Sequence, residues 1–455
     1  VSRFKVQVLV AMLAVSVIAV SCGRSGSNSD NSSGGNSKSD ISAKCKGTLE
    51  ATEIGVTADT ISVEVMADTG SPLAPGLFQG NVDAMNGFAK YVNANGGIGC
   101  RQLKVEAWDS KLDATESKNG LINACQNSLA LVGGNALFNP DVTVLGNCVD
   151  KAGQPVGLPD FAALANDINE QCADNSFVMT SVAESCKTLT GTRDLTAFIG
   201  QMKFYQTLNP NLTGIYLVPG DLPTTVQSAT YQIETMRLLG INLTNTPKVS
   251  GRLEQAGFTP FVQMLKAGNG NFVYNGSNDQ AMIKMRKESA AQGLTDVNVW
   301  ACSIACYTPA FKAAGSAVDG TYVWLSFLPF EEASSNAAVK NYVDSVAKPD
   351  SFGAQAWQSG MAFKKAIDEI VAEKGPNAIT RAAVIEKMKT LEFDADGWIG
   401  KRTGTKSFSD CFVMLQAKGG TFERVFPSKV GTMDCKSTNL TKISIDPQEA
   451  AKLVK

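Results

Sequence analysis

The sequence predicts an α/β protein of two Rossmann-like lobes with parallel sheets, joined by a multi-strand hinge. Three observations carry this expectation. Short strands alternate with helices of about 10 to 15 residues over most of the chain, the pattern of parallel sheets covered on both faces. Beyond an N-terminal polar stretch, a little over 400 of the 455 residues remain, enough for two cores and too many for one. Late elements read as helices followed by a hairpin, and in two-lobed proteins such elements return to an earlier lobe, making more than one crossover.

The elements follow in order. Arg3 and Lys5 precede the apolar run Val6 to Val20, which is shorter than the roughly 20 residues of a membrane span. Ala19-Val20-Ser21-Cys22 has the form of a bacterial lipobox, so residues 1–21 are expected to be a signal peptide and the Cys22 thiol to carry lipid. Ser, Gly, Asn and Asp then dominate, and residues 22–51 read as a flexible tether.

Thr60 to Ala67 alternates as a strand, and Asp68-Thr69-Gly70-Ser71-Pro72 breaks it with turn chemistry. Val82, Met85, Phe88, Ala89 and Val92 recur at helical spacing between Gln79 and Asn93. Gly96 and Gly97 stop that helix, and Leu103 to Trp108 resumes a strand. Ser117 to Cys125 and Pro140 to Cys148 read as helices, Leu129 to Gly133 and Gln154 to Leu158 as short strands. A second series follows: helix at Leu195 to Leu208, strand at Thr213 to Val218, helices at Thr224 to Leu239 and Phe258 to Lys266. Asn271 to Tyr274, Gln280 to Gln292, Val297 to Ala301 and the aromatic-rich Gly320 to Phe327 continue the alternation. Gly353 to Glu373 and Arg381 to Lys389 are helical, and Cys411 to Gln416 with Phe422 to Phe426 flank a Gly turn. These elements divide the chain into residues 52–183 plus 326–404 as one lobe, 184–325 plus 405–430 as the other, and 431–455 as a tail.

Formal net charge is −2 with acids and bases interspersed, and histidine is absent. Interspersed charge gives no electrostatic footprint for nucleic acid. Without histidine there is no Ser-His-Asp or Cys-His nucleophile and no His-ligated zinc. Setting Cys22 aside from the 11 cysteines leaves an even set, the mark of a disulfide framework in an exported chain. Sequence separations suggest Cys125 with Cys148, Cys172 with Cys186, Cys302 with Cys306 and Cys411 with Cys435, which leaves Cys45 with Cys100. The only close pair, Cys302 and Cys306, lacks the second knuckle that zinc would need, and no metal or other cofactor is expected. Gly400-Lys-Arg-Thr-Gly-Thr-Lys-Ser407 lacks the spacing and the following helix of a phosphate loop, so it reads as a basic loop. Asp394 and Asp396 have nothing beside them that builds an acid/base site.

The stretch TISVEVMADTGSPLAPGLFQGNVDAMNGFAKYVNANGGIGCRQLKVEAWDS, Thr60 to Ser110, resembles the first βαβ unit of type I solute-binding proteins of ABC importers, in the branched-chain amino-acid binding branch. Leu131-Val-Gly-Gly-Asn135, Phe272-Val-Tyr-Asn-Gly276 and the final hairpin fall where that family has matching elements. The resemblance implies the type I periplasmic binding fold, no chemistry of its own, and ligand held between the lobes. It is weaker at the ligand. Asn135-Ala136-Leu137-Phe138 stands where the family holds a carboxylate with hydroxyls, and Pro159-Asp160-Phe161-Ala162 replaces the next loop. Ser277 or Asn278, and Cys302 or Ser303, stand where an aromatic and an acid grip the ammonium. Glu184 falls near the first crossover, where the family has an acid.

Open parallel sheets bind ligands beyond the carboxyl ends of their strands. The candidate contacts are therefore Ser71, Leu73, Phe78, Asn135, Leu137, Phe138, Phe161, Glu184, Asp221, Ser277, Asn278, Ser303 and Phe352. Tyr307 could also line an aromatic cleft, and Asp68 and Asp160 sit in loops where a carboxylate can meet a ligand or cap a turn. With the zwitterion clamp mostly replaced, a less charged, partly apolar solute is expected in place of Leu, Ile or Val. The whole reads as a monomeric lipoprotein on the outer face of a bacterial cytoplasmic membrane, delivering a small molecule to ABC importer permease subunits. The alternative is a sensor lipoprotein that docks to a membrane signalling receptor.

Overall fold

The computed structural model describes residues 45, 47–179, 186, 191–405, 407 and 409–454; the expected signal peptide, Cys22 and Glu184 lie outside these. The first sheet holds β1 (Thr60–Ala67), β2 (Gln102–Asp109), β3 (Ala130–Val132) and β4 (Asp160–Phe161), all parallel in the order β2-β1-β3-β4. Strand β1 lies between two neighbours and under helices on both faces, which is why Val63 and Val65 on one face and Glu64 on the other are all buried. Helix Gln79–Ala94 buries Met85, Phe88 and Val92 against the long helix Ser351–Lys374, where Phe88 meets Trp357 edge-on at 5.1 Å.

After β5 (Arg193–Phe198), the second sheet collects β6 (Thr213–Pro219), β7 (Asn242–Asn245), β8 (Lys248–Val249), β9 (Phe272–Asn275), β10 (Val299–Cys302) and β11 (Thr321–Leu325). The short ribbon β12 (Glu392–Phe393) and β13 (Arg402–Thr403) precedes the antiparallel hairpin β14 (Cys411–Lys418) and β15 (Thr421–Phe426). That hairpin joins the second sheet through β11, giving the order β15-β14-β11-β10-β9-β6-β7. The chain thus passes between lobes after β4, after β11 and before β14. Between the last two passages it returns helices Ser351–Lys374 and Arg381–Met388 to the first lobe, where the buried Arg381 guanidinium donates to the carbonyls of Ser128, Cys125 and Val149. Such a triple linkage is the multi-strand hinge of the type I periplasmic binding fold, and the mixed α/β architecture with parallel sheets agrees with the expected class. Among the described residues no helix is long and apolar enough to cross a membrane.

Five disulfides join Cys45–Cys100, Cys125–Cys148, Cys172–Cys186, Cys302–Cys306 and Cys411–Cys435, the pairs that sequence separation suggested. Three expectations need correction. The run Leu195 to Leu208 is not one helix: β5 occupies its first half, and helix Gly200–Leu208 begins only where Gly200 lets Phe198 and Phe412 approach the backbone. The partner of β5 explains this. It is β17 (Leu440–Ile445), antiparallel, preceded by the bridge strand β16 (Asp434–Cys435). Of the expected tail 431–455, residues 431–454 are therefore built into the fold; helix Pro447–Ala451 packs on helix Pro223–Leu238. The strand expected at Gln154 to Leu158 is displaced to β4, because residues 154–157 turn back on Cys148–Asp150: Asp150 N donates to the Gln154 carbonyl and Val156 N to the Cys148 carbonyl.

Candidate functional site

Loops at the carboxyl ends of both sheets enclose a cavity of about 450 Å³. Its first-lobe wall is positioned by Asp68, which follows β1 and is fully buried. The Asp68 carboxylate accepts from Ser110 Oγ at 2.7 Å, Leu112 N at 2.7 Å and Leu137 N at 2.8 Å. One carboxylate therefore ties together the loops after β1, β2 and β3 and sets Leu112 and Leu137 in the cavity wall. Burial raises the Asp68 pKa, against the hydrogen bonds from Ser110, Leu137 and Leu112 that lower it. Leu73, Phe78 and Phe352 continue this wall, with Phe78 and Phe352 edge-to-face at 4.9 Å. Phe352 is held by the N-terminus of helix Ser351–Lys374, which Asp350 caps through Gly353 N at 2.6 Å.

The second-lobe wall is made by the loops after β6, β9 and β10. Gly276, after β9, takes no side chain because a methyl there would overlap the Tyr216 hydroxyl, which donates to Gln232 Oε1 at 2.7 Å. Asn278 caps helix Asp279–Ala291 through Ala281 N at 3.0 Å. Ser303, Ile304 and Ala305 line the cavity from a loop closed at its base by Cys302–Cys306. Side-chain hydrogen bonds that join the lobes beside the cavity include Thr224 Oγ1 to the Leu137 carbonyl at 2.7 Å and Ser228 Oγ to Asn166 Oδ1 at 3.3 Å.

Eight of the candidate contacts line this cavity: Leu73, Phe78, Leu137, Asp221, Ser277, Asn278, Ser303 and Phe352. Asp221 is already engaged, accepting from Gly251 N at 2.6 Å. Four lie elsewhere, each for a local reason. Phe161 is fully buried between Phe177 and Phe363, since a strand inside a covered sheet packs both faces. Phe138 is not among the residues that line the cavity, and its carbonyl accepts from Ser117 Oγ at 2.8 Å. Ser71 is buried as a turn former, its Oγ accepting from Leu73 N at 3.3 Å. Asn135 is buried beside β1, with no side-chain partner. Tyr307 is also core, donating to Glu331, and Asp160 accepts from Ser176 Oγ at 2.6 Å.

The cavity also extends into the second lobe, which sequence reasoning missed. Leu195, Phe198, Gln201, Tyr231, Trp324, Arg402 and Ile443 border this part. Reading Leu195 to Leu208 as one helix hid β5, and reading residues 400–407 as an exposed basic loop hid Arg402. The available signal was the β-branched and aromatic content of Leu195 to Ile199.

Two sheets joined by a triple hinge around a mostly apolar, ligand-sized cavity define a two-lobed solute-binding protein. A family model for periplasmic binding proteins matches residues 60–421, and the chain belongs to that family. Its fold is similar to LivJ of Streptococcus pneumoniae, a branched-chain amino acid transporter substrate-binding protein solved with isoleucine (TM-score 0.59, 14% identity, covering 81% of this chain and 99% of that one). It is similar to a Rhodopseudomonas palustris ABC transporter solute-binding protein in complex with benzoate (0.61, 16%, 82% and 99%). It is also similar to a fatty acid ABC transporter substrate-binding protein from Thermomonospora curvata (0.59, 15%, 83% and 97%). At these identities the likeness is one of fold. No curated protein matches the chain.

Proposed function

We propose that the protein captures a small, largely apolar solute between its lobes and delivers it to an ABC importer while tethered to the membrane through Cys22. The observation that carries this is the cavity itself. About 450 Å³ is within the range of small-molecule sites, and its walls come from the carboxyl ends of both sheets. Ligand that touches both lobes stabilises the closed form by its differential affinity for that form, and closure is what a permease would recognise. The wall supports a solute other than an ordinary branched-chain amino acid. Leu137 stands where the family has a carboxylate-binding hydroxyl, and the only acid among the described lining residues, Asp221, is an exposed carboxylate that accepts from Gly251 N, so the buried part of the wall offers no countercharge to an ammonium. The lobe limits are proposed as 52–183 with 326–404, and 184–325 with 405–455, the last segment joining through β17.

The test is native mass spectrometry of the purified protein, followed by denaturation and identification of released small molecules, then calorimetry with the solute found and with Leu, Ile and Val. A stoichiometric, partly apolar solute and weak amino-acid binding are expected. Micromolar or tighter binding of Leu, Ile or Val would restore the amino-acid assignment. Loss of solute uptake by cells lacking the gene would establish delivery.

A further inference from the structure

Among the described residues, Arg402 is the arginine with two buried donor nitrogens that lack a partner. It lies in β13, in the last passage between lobes, and is only 3% exposed. Its guanidinium carbon sits 4.9 Å from the centre of the Phe177 ring, and Nη2 donates to the Ser407 carbonyl at 3.3 Å. Nε and Nη1 have no hydrogen-bond partner. Arg402 also borders the ligand cavity and is the only cation among its described lining residues; the only acid there, Asp221, is engaged by Gly251 N.

A guanidinium has two edges that each offer a pair of parallel donors, Nε with Nη2 and Nη1 with Nη2. One Nη2 hydrogen goes to Ser407. The other belongs to an edge whose second donor is unpaired and buried, so a two-point acceptor reaches that edge once the side chain turns toward the cavity it borders. Burial lowers the pKa to about 10, which leaves the group charged at neutral pH. A buried cation with orphan donors is costly, and an anion arriving in the adjoining cavity removes that cost. Apart from Asp221, the rest of the described second-lobe lining is apolar or neutral, from Leu195, Phe198, Trp324 and Ile443 to Gln201 and Tyr231.

We infer that the cavity takes an organic monocarboxylate with an extended apolar body, and that Arg402 pairs with its carboxylate while the apolar part lies along the second-lobe lining. The inference rests on the solute-binding reading above and adds the charge and polarity of the solute. A single negative charge is consistent with a wall whose buried part holds no acid among the described lining residues.

The test uses the purified protein, freed of endogenous solute by unfolding and refolding with its disulfides intact, and two isosteric probe pairs: decanoate with decanamide, and 4-phenylbutyrate with its amide. At least one acid is expected to bind, with its amide about tenfold or more weaker. Arg402→Gln is expected to weaken the acid about tenfold or more and to leave the amide unchanged, and Arg402→Lys to fall between, because a point charge lacks the two-donor edge. Equal affinity for acid and amide in the wild type overturns the inference, as does failure of both acids to bind or equal loss of acid and amide in Arg402→Gln. If that variant does not fold, the acid-to-amide ratio of the wild type decides alone. Release of a neutral solute by denaturation, with no acid binding, would sink the carboxylate and leave the solute-binding reading standing. Absence of any bound or bindable solute would sink both.

Discussion

Replacing Thr224 by valine should open the lobes. The Thr224 side chain, 8% exposed at the start of helix Pro223–Leu238, donates to the Leu137 carbonyl at 2.7 Å, and Leu137 is itself fixed through its amide to Asp68 at 2.8 Å. This hydrogen bond therefore connects the second lobe to the carboxylate that organises three first-lobe loops. Valine keeps the shape and removes the hydroxyl. A neutral hydrogen bond is worth a net of about 0.5 to 1.5 kcal/mol, and an acceptor left without a partner adds to the loss. Leu137 is half-buried, so water can partly replace the donor, and a total of about 1 to 1.5 kcal/mol follows. That is a five- to tenfold shift of the closed-to-open ratio, and of solute affinity by the same factor where solute binds only the closed form and the free protein is mostly open. Spin labels at Ile122→Cys and Leu208→Cys, exposed positions on opposite lobes, would report the distance distribution by pulsed dipolar spectroscopy. An unchanged distribution together with unchanged solute affinity would refute the idea that this contact holds the closed form.

Glu64 in β1 is buried, and burial raises its pKa from 4.5 to about 7 despite the hydrogen bond from Asn123, with Glu106 raising it further. Below pH 4.5 the carboxyl is neutral in both folded and unfolded chains; as pH rises toward 7 only the unfolded chain ionises, so the folded state loses up to about 3 kcal/mol of stability. Urea melts should show the stability of Glu64→Gln rising relative to wild type by about that amount between pH 4.5 and pH 8, and a constant difference would contradict the assignment. Gly276→Ala places a methyl against the Tyr216 hydroxyl; about 1 to 3 kcal/mol of overpacking cost is expected, together with weaker solute binding by calorimetry, whereas wild-type values for both would show that the loop yields freely. Cys22→Ala should move the protein from the detergent phase to the medium, because the variant lacks the thiol that would take lipid; retention at wild-type levels would remove the tether proposal.

Local pattern made part of this protein readable. The alternation in Thr60 to Ala67 and the helical spacing of Met85, Phe88 and Val92 reappear as β1 and its covering helix, because side chains that must bury one face repeat with the period of the backbone. The cysteine separations matched the bonds formed, since residues close in sequence need little loop closure to meet. The site was readable only where a residue follows a strand and has no neighbour that claims it: Leu73, Leu137 and Ser303 border the cavity, whereas Phe161 and Tyr307, equally aromatic and equally placed after or within strands, pack in the core.

Sequence alone thus determined the class: two α/β lobes, the family of the first βαβ unit, and loops at strand ends, several of which line the cavity. Tertiary structure decided which polar groups are spent on the fold and which border the cavity. Asp68 proved to be a clamp for three loops, and Asp221 is engaged by Gly251. β5 is a strand because β17, from the far end of the chain, pairs with it. Arg402 borders the cavity because the last hinge passage carries it there. The physical reason is common to all four. Periodicity reports only that a face is buried or a loop is polar, while partnership depends on contacts between residues far apart in the chain.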